Sequence, residues 1–279
     1  AVVQCPGSIG VAGHGLVSVV NAKWNTPGAD AKEVELRPAA QGSALAPQLA
    51  ARAYFAERCD EGVYNHWTYS RFQLLGKTIR YTTEIAGAGC GCNVAFYLVA
   101  MQQNSDPSTC SDYYCDAGSV CGVPCAEIDL QEANRFAWHS TLHSSSDKYG
   151  WTCGFGGMDP GRDGPRDWSA AQYGPNAACI NTNAAFQVAV SFPLDAKGQL
   201  EAVRISLSQD RGGGAGPCTL QASTAGYSGN WELTEALRAG MTPVVSYWRS
   251  DSMVWLDGPG ADGQGQCADE AGACAESVR

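Results

Sequence analysis

The sequence lacks the features that mark membrane-spanning and nucleic-acid-binding proteins. No apolar run approaches the roughly 18 to 20 residues that a helix needs to cross a bilayer. Basic residues are outnumbered, 18 Lys and Arg against 28 Asp and Glu, so the net charge of -10 opposes binding to nucleic acid or anionic lipid. Charged residues make up only 16% of the chain and apolar residues 44%, which indicates a folded globular protein. We therefore expect no nucleic-acid and no membrane partner.

Cysteine, in contrast, is abundant. Thirteen cysteines in 279 residues are typical of a protein stabilised by disulfides in an oxidising compartment. We predict a secreted protein, and the first residues, AVVQCPGS, fit a chain whose signal peptide has been removed. Zinc is the alternative use of dense cysteine, but neither Cys90–Cys92 nor Cys121–Cys125 has the paired CxxC spacing of a structural zinc site. Because thirteen is odd, at least one cysteine is free or pairs outside the chain.

Turn residues and short apolar stretches predict an all-β chain that forms one domain over residues 1–279. No internal repeat or low-complexity linker divides it. One helix is predicted over Trp231–Ala239, with Asn230 as its N-cap and Gly240 after its end, while Ala46–Glu57 is ambiguous. Many short strands with few helices predict a sandwich or a barrel. The predicted strands are Thr68–Leu74, Thr78–Ile85, Asn93–Met101, Phe186–Leu194, Ala202–Ser208 and Val244–Trp248.

The most informative segment is Ala126–Asn134, AEIDLQEAN, which carries three acids within six positions. Glu127 and Asp129 are two residues apart and therefore share one face of a strand. Glu132 is five residues after Glu127, so strict alternation would place it on the opposite face. One extra residue around Leu130–Gln131, a β-bulge, would return Glu132 to the face of the other two acids.

Three carboxyl groups on one face can divide the tasks of acid–base catalysis. Like charges in close contact raise at least one pKa, so one group can stay ionised as a nucleophile while another stays protonated as a general acid. The spacing alone also permits a calcium site or a solvent-facing acidic strand edge.

The segment Cys125–Asn134 resembles the C-S-E-M-D-I-W-E-A-N signature of glycoside hydrolase family 7, the fungal cellobiohydrolases and endo-β-1,4-glucanases. Further segments resemble family motifs in the same order from about residue 60 to the end, which argues against chance. The resemblance implies a concanavalin-like jelly-roll sandwich of two antiparallel sheets, whose concave face forms the substrate groove. These further segments are Phe72–Lys77 (family F-K-L-L-N), Cys90–Tyr97 (C-G-L-N-G-A-L-Y), Tyr114–Asp116 (Y-C-D), Tyr173–Pro175 with Phe186–Phe192 (Y-G-P-G and its following strand), Glu201–Arg204 (E-I-R-R), Gly240–Trp248 (G-M-V-L-V-M-S-L-W) and Trp255–Asp257 (M-L-W-L-D-S).

The resemblance implies a retaining endo-β-1,4-glucanase acting on cellulose or a related β-glucan. Glu127 would be the nucleophile, Asp129 its orienting and pKa-tuning partner, and Glu132 the acid/base. Glu132 would protonate the departing oxygen while Glu127 forms the glycosyl-enzyme, and Glu132 would then activate water. No cofactor and no metal are needed, and we expect a monomer.

Further positions in this implied site follow from the same motifs. His143 lies eleven residues after Glu132, where the family's T-P-H-P places an active-site histidine, so it is preferred to His139. Asp116 would approach the same cluster. The positions implied to bind sugars are Asn93, Tyr97, Tyr114, Arg204, Trp248 and Trp255.

The sequence departs from the family pattern in several places. Gln131 replaces the signature's Trp, and Ser145 stands where the family has a partner for Cys153. The segment Gln102–Asp112 is shorter than its family counterpart, as is the whole chain. Loss of tunnel-forming loops favours an open groove and internal cleavage, and we expect Gln131 to alter the sugar-binding subsites.

Three other functions fit parts of the pattern. A family 16 sandwich, with its E-x-D-x-E or E-x-D-x-x-E strand, would cleave β-1,3(4)-glucans. A non-catalytic carbohydrate-binding sandwich would keep the acids without using them, which the intact triad argues against. A lyase acting on uronic-acid polymers would need a cationic groove, which 18 Lys and Arg disfavour.

The family resemblance also implies disulfides next to the site. Cys115 and Cys125 would pair and tie together the segments leading to Asp116 and Glu127, as similarly placed cysteines do in the family. Cys90 would pair with Cys267 or Cys274 near the C-terminus.

Overall fold

The fold is built almost entirely from short strands. Our computed structural model describes residues 3–40, 42–147, 150–151, 154–156, 167–212, 216–258, 267 and 274–279. Within these ranges no helix has the length and apolar character needed to cross a membrane. The helices are α1 (Asn230–Ala239) and α2 (Val254–Asp257), with 3₁₀ turns at His66–Thr68 and Met101–Gln103. The strands are β1 (Gly7–Val11), β2 (Gly15–Asn21), β3 (Trp24–Thr26), β4 (Ala29–Asp30), β5 (Val34–Pro38), β6 (Ser43–Pro47), β7 (Ala51–Ala56), β8 (Thr78–Thr83), β9 (Cys92–Val99), β10 (Glu127–Ala133), β11 (Trp138–His143), β12 (Phe155–Gly156), β13 (Tyr173–Gly174), β14 (Ile180–Asn181), β15 (Phe186–Ser191), β16 (Arg204–Gln209), β17 (Cys218–Ser223) and β18 (Thr242–Arg249).

Two antiparallel sheets dominate the structure. The larger has eight strands in the order β1-β2-β7-β18-β9-β10-β11-β12, and the smaller has four in the order β17-β16-β15-β8. The large sheet is not assembled in chain order, since the late strand β18 pairs with β7 on one side and with β9 on the other. The prediction of an all-β sandwich with two antiparallel sheets is confirmed.

The main core lies between the two sheets. Leu98, Ile128 and Tyr247 of the large sheet pack with Val188 and Leu207 of the small sheet, and all are almost completely buried. Burying each such side chain contributes about 1.5 to 3 kcal/mol. We call this side of the large sheet its inner face. Because side chains alternate along a strand, the intervening residues lie on the opposite side, which we call the outer face.

Part of the outer face is covered by the connection between β9 and β10. Tyr54, Tyr97 and Val244 of the large sheet form a second apolar cluster there with Tyr114 and Cys121 of this connection. The connection is therefore packed against the outer face beside β10, where it can contribute side chains to a site.

Disulfides join twelve of the thirteen cysteines, which confirms the choice of disulfides over zinc. Cys115 pairs with Cys125, and Cys90 pairs with Cys267, as predicted. Cys153 lies outside the described residues. The remaining pairs are Cys5–Cys59, Cys92–Cys274, Cys110–Cys121 and Cys179–Cys218.

One predicted strand was wrong. Thr68–Leu74 forms only isolated bridges, Tyr69 with Ala56 and Phe72 with Met241, because the chain passes from the end of β7 to the start of β18 without running along either. The other five predicted strands are confirmed, with shifted ends, as β8, β9, β15, β16 and β18.

The predicted helix is confirmed as α1, but its N-cap was wrong. The helix begins at Asn230, its N-cap is Gly229, and no side chain caps it. The Asn230 Nδ2 instead donates to the carbonyl of Glu201 at 3.3 Å. Gly240 ends the helix with a φ of 101°, a conformation that favours glycine. The ambiguous stretch Ala46–Glu57 contains the buried strand β7.

Candidate active site

A β-bulge in β10 brings three acids to the outer face. Against β11, Asp129 pairs with Thr141 and Glu132 pairs with His139, so three steps along β10 match two along β11. Against β9, the extra residue falls between Asp129 and Gln131. The predicted bulge at Leu130–Gln131 is confirmed, and with it the shared face of the acids.

The bulged residues themselves point inward. Leu130 is fully buried in the core between the sheets, and its carbonyl accepts a hydrogen bond from the Ser140 Oγ at 3.0 Å. The Gln131 Nε2 donates to the carbonyl of Val94 at 3.2 Å and lies 3.4 Å from the Oγ1 of Thr83 in the small sheet. The expectation that Gln131 alters the sugar subsites was therefore wrong. A bulge sets two residues opposite one, so strict alternation fails there.

Glu127 is buried beside two other acids, Asp129 and Asp116. Its Oε2 accepts a hydrogen bond from the backbone N–H of Ala117 at 2.7 Å. Burial raises the pKa of Glu127 well above its ordinary value, and the charges of Asp129 and Asp116 raise it further. Burial also raises the pKa of Asp116. The N–H of Val120 donates to the Asp116 Oδ1 at 2.9 Å, and this hydrogen bond opposes the rise. Glu127 and Asp116 therefore hold protons to a higher pH than isolated carboxyl groups do.

Asp129 occupies the middle of the triad and is paired with a histidine. Its Oδ2 lies 3.0 Å from the Thr141 Oγ1, which donates to it, and 3.1 Å from the His143 Nε2. The His143 Nδ1 lies 2.7 Å from the carbonyl of Trp151. Burial lowers the pKa of His143, but the hydrogen bond and charge of Asp129 outweigh it and raise the pKa to about 9. His143 is thus a cation at neutral pH, with both ring nitrogens in hydrogen-bonding positions.

Glu132 is the least buried of the three acids. Its Oε1 accepts a hydrogen bond from the Asn93 Nδ2 at 2.9 Å, and its Oε2 lies 3.5 Å from the Thr141 Oγ1. The amide of Asn93 is itself oriented, because its Oδ1 accepts from the N–H of Ala133 at 3.1 Å. Asn93 therefore orients the carboxyl group of Glu132. Glu132 is half-buried, whereas Glu127 and Asp129 are buried.

Two tyrosines and an arginine lie behind the acids. The hydroxyl groups of Tyr97 and Tyr114 are 2.6 Å apart. The guanidinium of Arg52 lies 3.7 Å from the centroid of the Tyr114 ring, a distance at which a buried cation is stabilised by the ring. Arg52 is almost fully buried and also donates to the carbonyls of Trp24 and Asn25, at 2.6 and 2.9 Å. The positive charge of Arg52 lowers the pKa of Asp116 and so opposes part of the effect of burial on that acid.

A pair of tryptophans lies near the Glu132 end of the triad. Trp248 of β18 is the strand partner of Asn93, which binds Glu132. Trp255 of α2 stacks on Trp248, with ring centroids 6.3 Å apart and an interplanar angle of 25°. Both side chains are half-buried, so part of each ring is available for a flat apolar ligand surface.

Comparisons with known proteins place this geometry in context. No family model matches the sequence. The chain is 26% identical to endoglucanase 1 of Pyricularia oryzae over 265 residues, covering 74% of this chain and 60% of the relative. It is 27% identical to endoglucanase EG-1 of Hypocrea jecorina over 242 residues, covering 73% and 49%. The chain thus spans about half to three fifths of the length of these curated relatives.

Solved structures share the fold. An endoglucanase I complexed with cellobiose matches with a TM-score of 0.64 and 18% identity, over 95% of this chain and 90% of that one. A family 7 cellobiohydrolase from Daphnia pulex matches with a TM-score of 0.59 and 17% identity, over 94% and 89%. The chain therefore has the fold of a glycoside hydrolase family 7 structure and is similar in sequence to curated endoglucanases. These matches support the resemblance stated from the sequence motifs.

One predicted site residue lies elsewhere. Arg204 begins β16 in the small sheet, is exposed, and binds the Oε2 of Glu201 at 3.1 Å. Because Ile205 and Leu207 face the core, alternation turns Arg204 away from it. Arg204 therefore lies in a different sheet from Asn93, Tyr97 and Trp248. Its predicted contact with sugar stays a prediction.

Sequence reasoning also missed two residues that lie in or beside the cluster. Thr141 contacts both Asp129 and Glu132, and it could have been found from its position midway between His139 and His143 on one strand face. Arg52 had a weaker signal, a single charge inside the apolar run of β7, ARAYFA.

Proposed function

We propose that this protein is a retaining, endo-acting glycoside hydrolase that cleaves β-1,4-glucosidic bonds in cellulose or a related β-glucan. The observation that carries the proposal is the bulge that sets Glu127, Asp129 and Glu132 on one face with separate partners. The names of the relatives support the same activity, since two are endoglucanases and one matching structure holds cellobiose.

In the first step the glycosyl group is transferred from the leaving sugar to the enzyme. The reactive form holds its proton on Glu132 and leaves Glu127 ionised. Glu127, oriented by the N–H of Ala117, forms a bond to the anomeric carbon as the glycosidic C–O bond breaks. Glu132 gives its proton to the departing oxygen, a transfer worth on the order of 10² to 10⁴ in rate.

In the second step water completes the hydrolysis. Glu132, now a carboxylate, takes a proton from water as the water oxygen bonds to the anomeric carbon and Glu127 leaves. Two displacements retain the β configuration. The retaining reaction requires the carboxyl groups of Glu127 and Glu132 to stand about 5 to 5.5 Å apart, and not the roughly 6.5 to 9.5 Å of inverting enzymes.

Asp129 and His143 support this division of roles. The cationic His143 lies 3.1 Å from the Oδ2 of Asp129 and orients this central carboxyl group between the other two acids. Trp248 and Trp255 offer a stacking surface for a sugar ring on the side of Glu132, where the leaving group departs.

The surrounding properties of the protein belong to the same proposal. We propose that residues 1–279 form one catalytic domain that acts as a secreted monomer. The disulfides support an oxidising compartment. The segment Gln102–Asp112, shorter than its family counterpart, supports an open groove and internal cleavage of the glucan chain.

A substrate panel tests the proposed function. We expect reducing sugar to be released from carboxymethylcellulose and barley β-glucan, with little or none from laminarin, chitosan and xylan. Release from laminarin above that from carboxymethylcellulose would favour the family 16-like alternative. No release from any of the five would favour a carbohydrate-binding protein. The Glu127→Gln variant, purified in parallel, controls for contaminating hydrolases.

A further inference from the structure

A second histidine lies directly beside the candidate acid/base. His139 is the cross-strand partner of Glu132, and it shares the outer face of β11 with Thr141 and His143. Side chains of directly opposed residues have Cβ atoms about 4.5 to 5.5 Å apart. His139 is fully buried, so its only polar surroundings are those that the protein provides.

The imidazole of His139 lacks hydrogen bonds in this state. Within the described ranges neither its Nδ1 nor its Nε2 has a partner, although both atoms are buried. Its nearest aromatic neighbour is the Trp255 ring, 6.4 Å away between centroids. A buried unpaired polar group is costly, and a native structure that retains one has a reason to do so. His143, four residues along the same strand, has partners for both of its nitrogens.

His139 is a neutral group under the conditions in which a hydrolase of this kind works. Burial lowers its pKa, the charge of Asp129 opposes this and the cation of His143 adds to it, and together they place the pKa at about 4. The other titratable groups on elements around it are Glu132 of β10 and Asp257 of α2, and Asp257 accepts hydrogen bonds from Gly91 and Asn134. A neutral imidazole offers one N–H donor and one acceptor.

We propose that His139 is a positioning residue for Glu132, donating an N–H hydrogen bond to its carboxylate in the glycosyl-enzyme. The role rests on the proposed hydrolase function. Before the first step Glu132 is protonated, and His139 has no carboxylate charge beside it to bind. Once Glu132 has given up its proton, a new negative charge stands opposite an unused donor. A charge-assisted hydrogen bond there is roughly twice as strong as a neutral one.

The proton count is unaffected by this contact. His139 keeps its proton throughout, the water proton passes to Glu132, and the water oxygen bonds to the anomeric carbon as Glu127 departs. The hydrogen bond holds the Glu132 carboxylate in position and keeps it ionised. It therefore assists hydrolysis of the glycosyl-enzyme rather than its formation.

A substrate with an activated leaving group separates the two steps. 2,4-Dinitrophenyl β-cellobioside needs no proton from Glu132 in the first step, so turnover is limited by hydrolysis of the glycosyl-enzyme. We expect His139→Leu to lower kcat about 10- to 100-fold with kcat/KM unchanged. Rapid mixing should show a larger burst of dinitrophenolate. The acid limb of the kcat profile, set by Glu132 in the glycosyl-enzyme, should move to higher pH.

His139→Gln is the matched control, because its amide keeps an N–H donor without the ring. We expect it to recover most of the lost kcat and the wild-type pH limb. His139→Met repeats the apolar substitution with a flexible side chain if the Leu variant does not fold. Wild-type kcat in both apolar variants, or an equal loss of kcat and kcat/KM with an unshifted pH profile, would overturn the role of His139. An inactive wild-type protein would instead overturn the proposed function, and this role with it.

Discussion

The two faces of the large sheet are made of the same strands but follow different physical rules. On the inner face, Ile128 and Leu142 are almost fully buried among apolar neighbours. On the outer face, the residues between them on β10 and β11 are acids, a threonine and histidines, with raised and lowered pKa values. The inner face stabilises the fold, whereas the outer face carries buried reactive groups that lower the stability of the fold. Substitutions on the two faces should therefore separate activity from stability.

The largest effect is expected at Glu127. Glu127→Gln keeps the shape of the side chain but removes the nucleophile, so turnover should fall about 10⁴-fold or more while binding of cellobiose persists. Because burial raises the pKa of Glu127 in the folded protein, a neutral amide should not lower the thermal midpoint. Initial rates measure turnover, titration calorimetry measures cellobiose binding, and circular dichroism measures the thermal midpoint. A near-normal rate would remove Glu127 from the chemistry.

Asp129→Asn should reduce activity less completely than Glu127→Gln and should also change His143. Without the carboxylate 3.1 Å from its Nε2, His143 loses the partner that raises its pKa. Proton NMR of the His143 ring should show the pKa falling from about 9, because burial then acts without the opposing charge of Asp129. An unchanged His143 titration would mean that another group holds the charge.

His139→Leu should make the folded protein more stable while the activity suffers. Removing a buried unpaired imidazole should contribute about 1 to 3 kcal/mol to the free energy of unfolding at neutral pH. The pKa of His139 is lowered from 6.5 to about 4 by folding, so the native state of the wild type loses stability as the pH falls through that window. The advantage of the variant should grow by about 3 kcal/mol between pH 6.5 and 4. Urea unfolding at several pH values measures it, and a constant difference would contradict the assigned pKa.

The smallest effect is expected on the inner face, next to the nucleophile. Ile128→Val removes one buried methyl group and should cost about 0.5 to 1.5 kcal/mol of stability. Although Ile128 lies between Glu127 and Asp129 in sequence, its side chain faces the other sheet, so kcat should stay within a factor of two to three of the wild type. A large fall in kcat with unchanged stability would break the separation between the two faces.

Sequence reasoning found the acid cluster because its signals are local. The bulge could be inferred because Glu127 and Glu132 can share a face only if an extra residue intervenes. The direction of Gln131 could not, because alternation is undefined within a bulge. The sheet that carries Arg204 could not be predicted either, because pairing between distant segments decides which sheet a strand joins. The N-terminal strands β1 and β2 were missed because Gly and Ser interrupt their apolar pattern.

Long-range contacts explain the remaining differences. The strand predicted at Thr68–Leu74 has suitable residues, yet its partners Ala56 and Met241 belong to different segments, and only the folded chain shows this. His143 could be preferred to His139 only through the family motif. The structure adds the physical distinction, since one histidine has partners and the other does not.

We propose that Glu127 and Glu132, aligned by the bulge, carry out a double displacement. The anomeric form of the first sugar released tests this mechanism most directly, because only two successive inversions retain the starting configuration. Proton NMR during the first minutes of cello-oligosaccharide hydrolysis should show the β-anomer appearing before mutarotation produces the α-anomer. An α-anomer formed first would contradict the account.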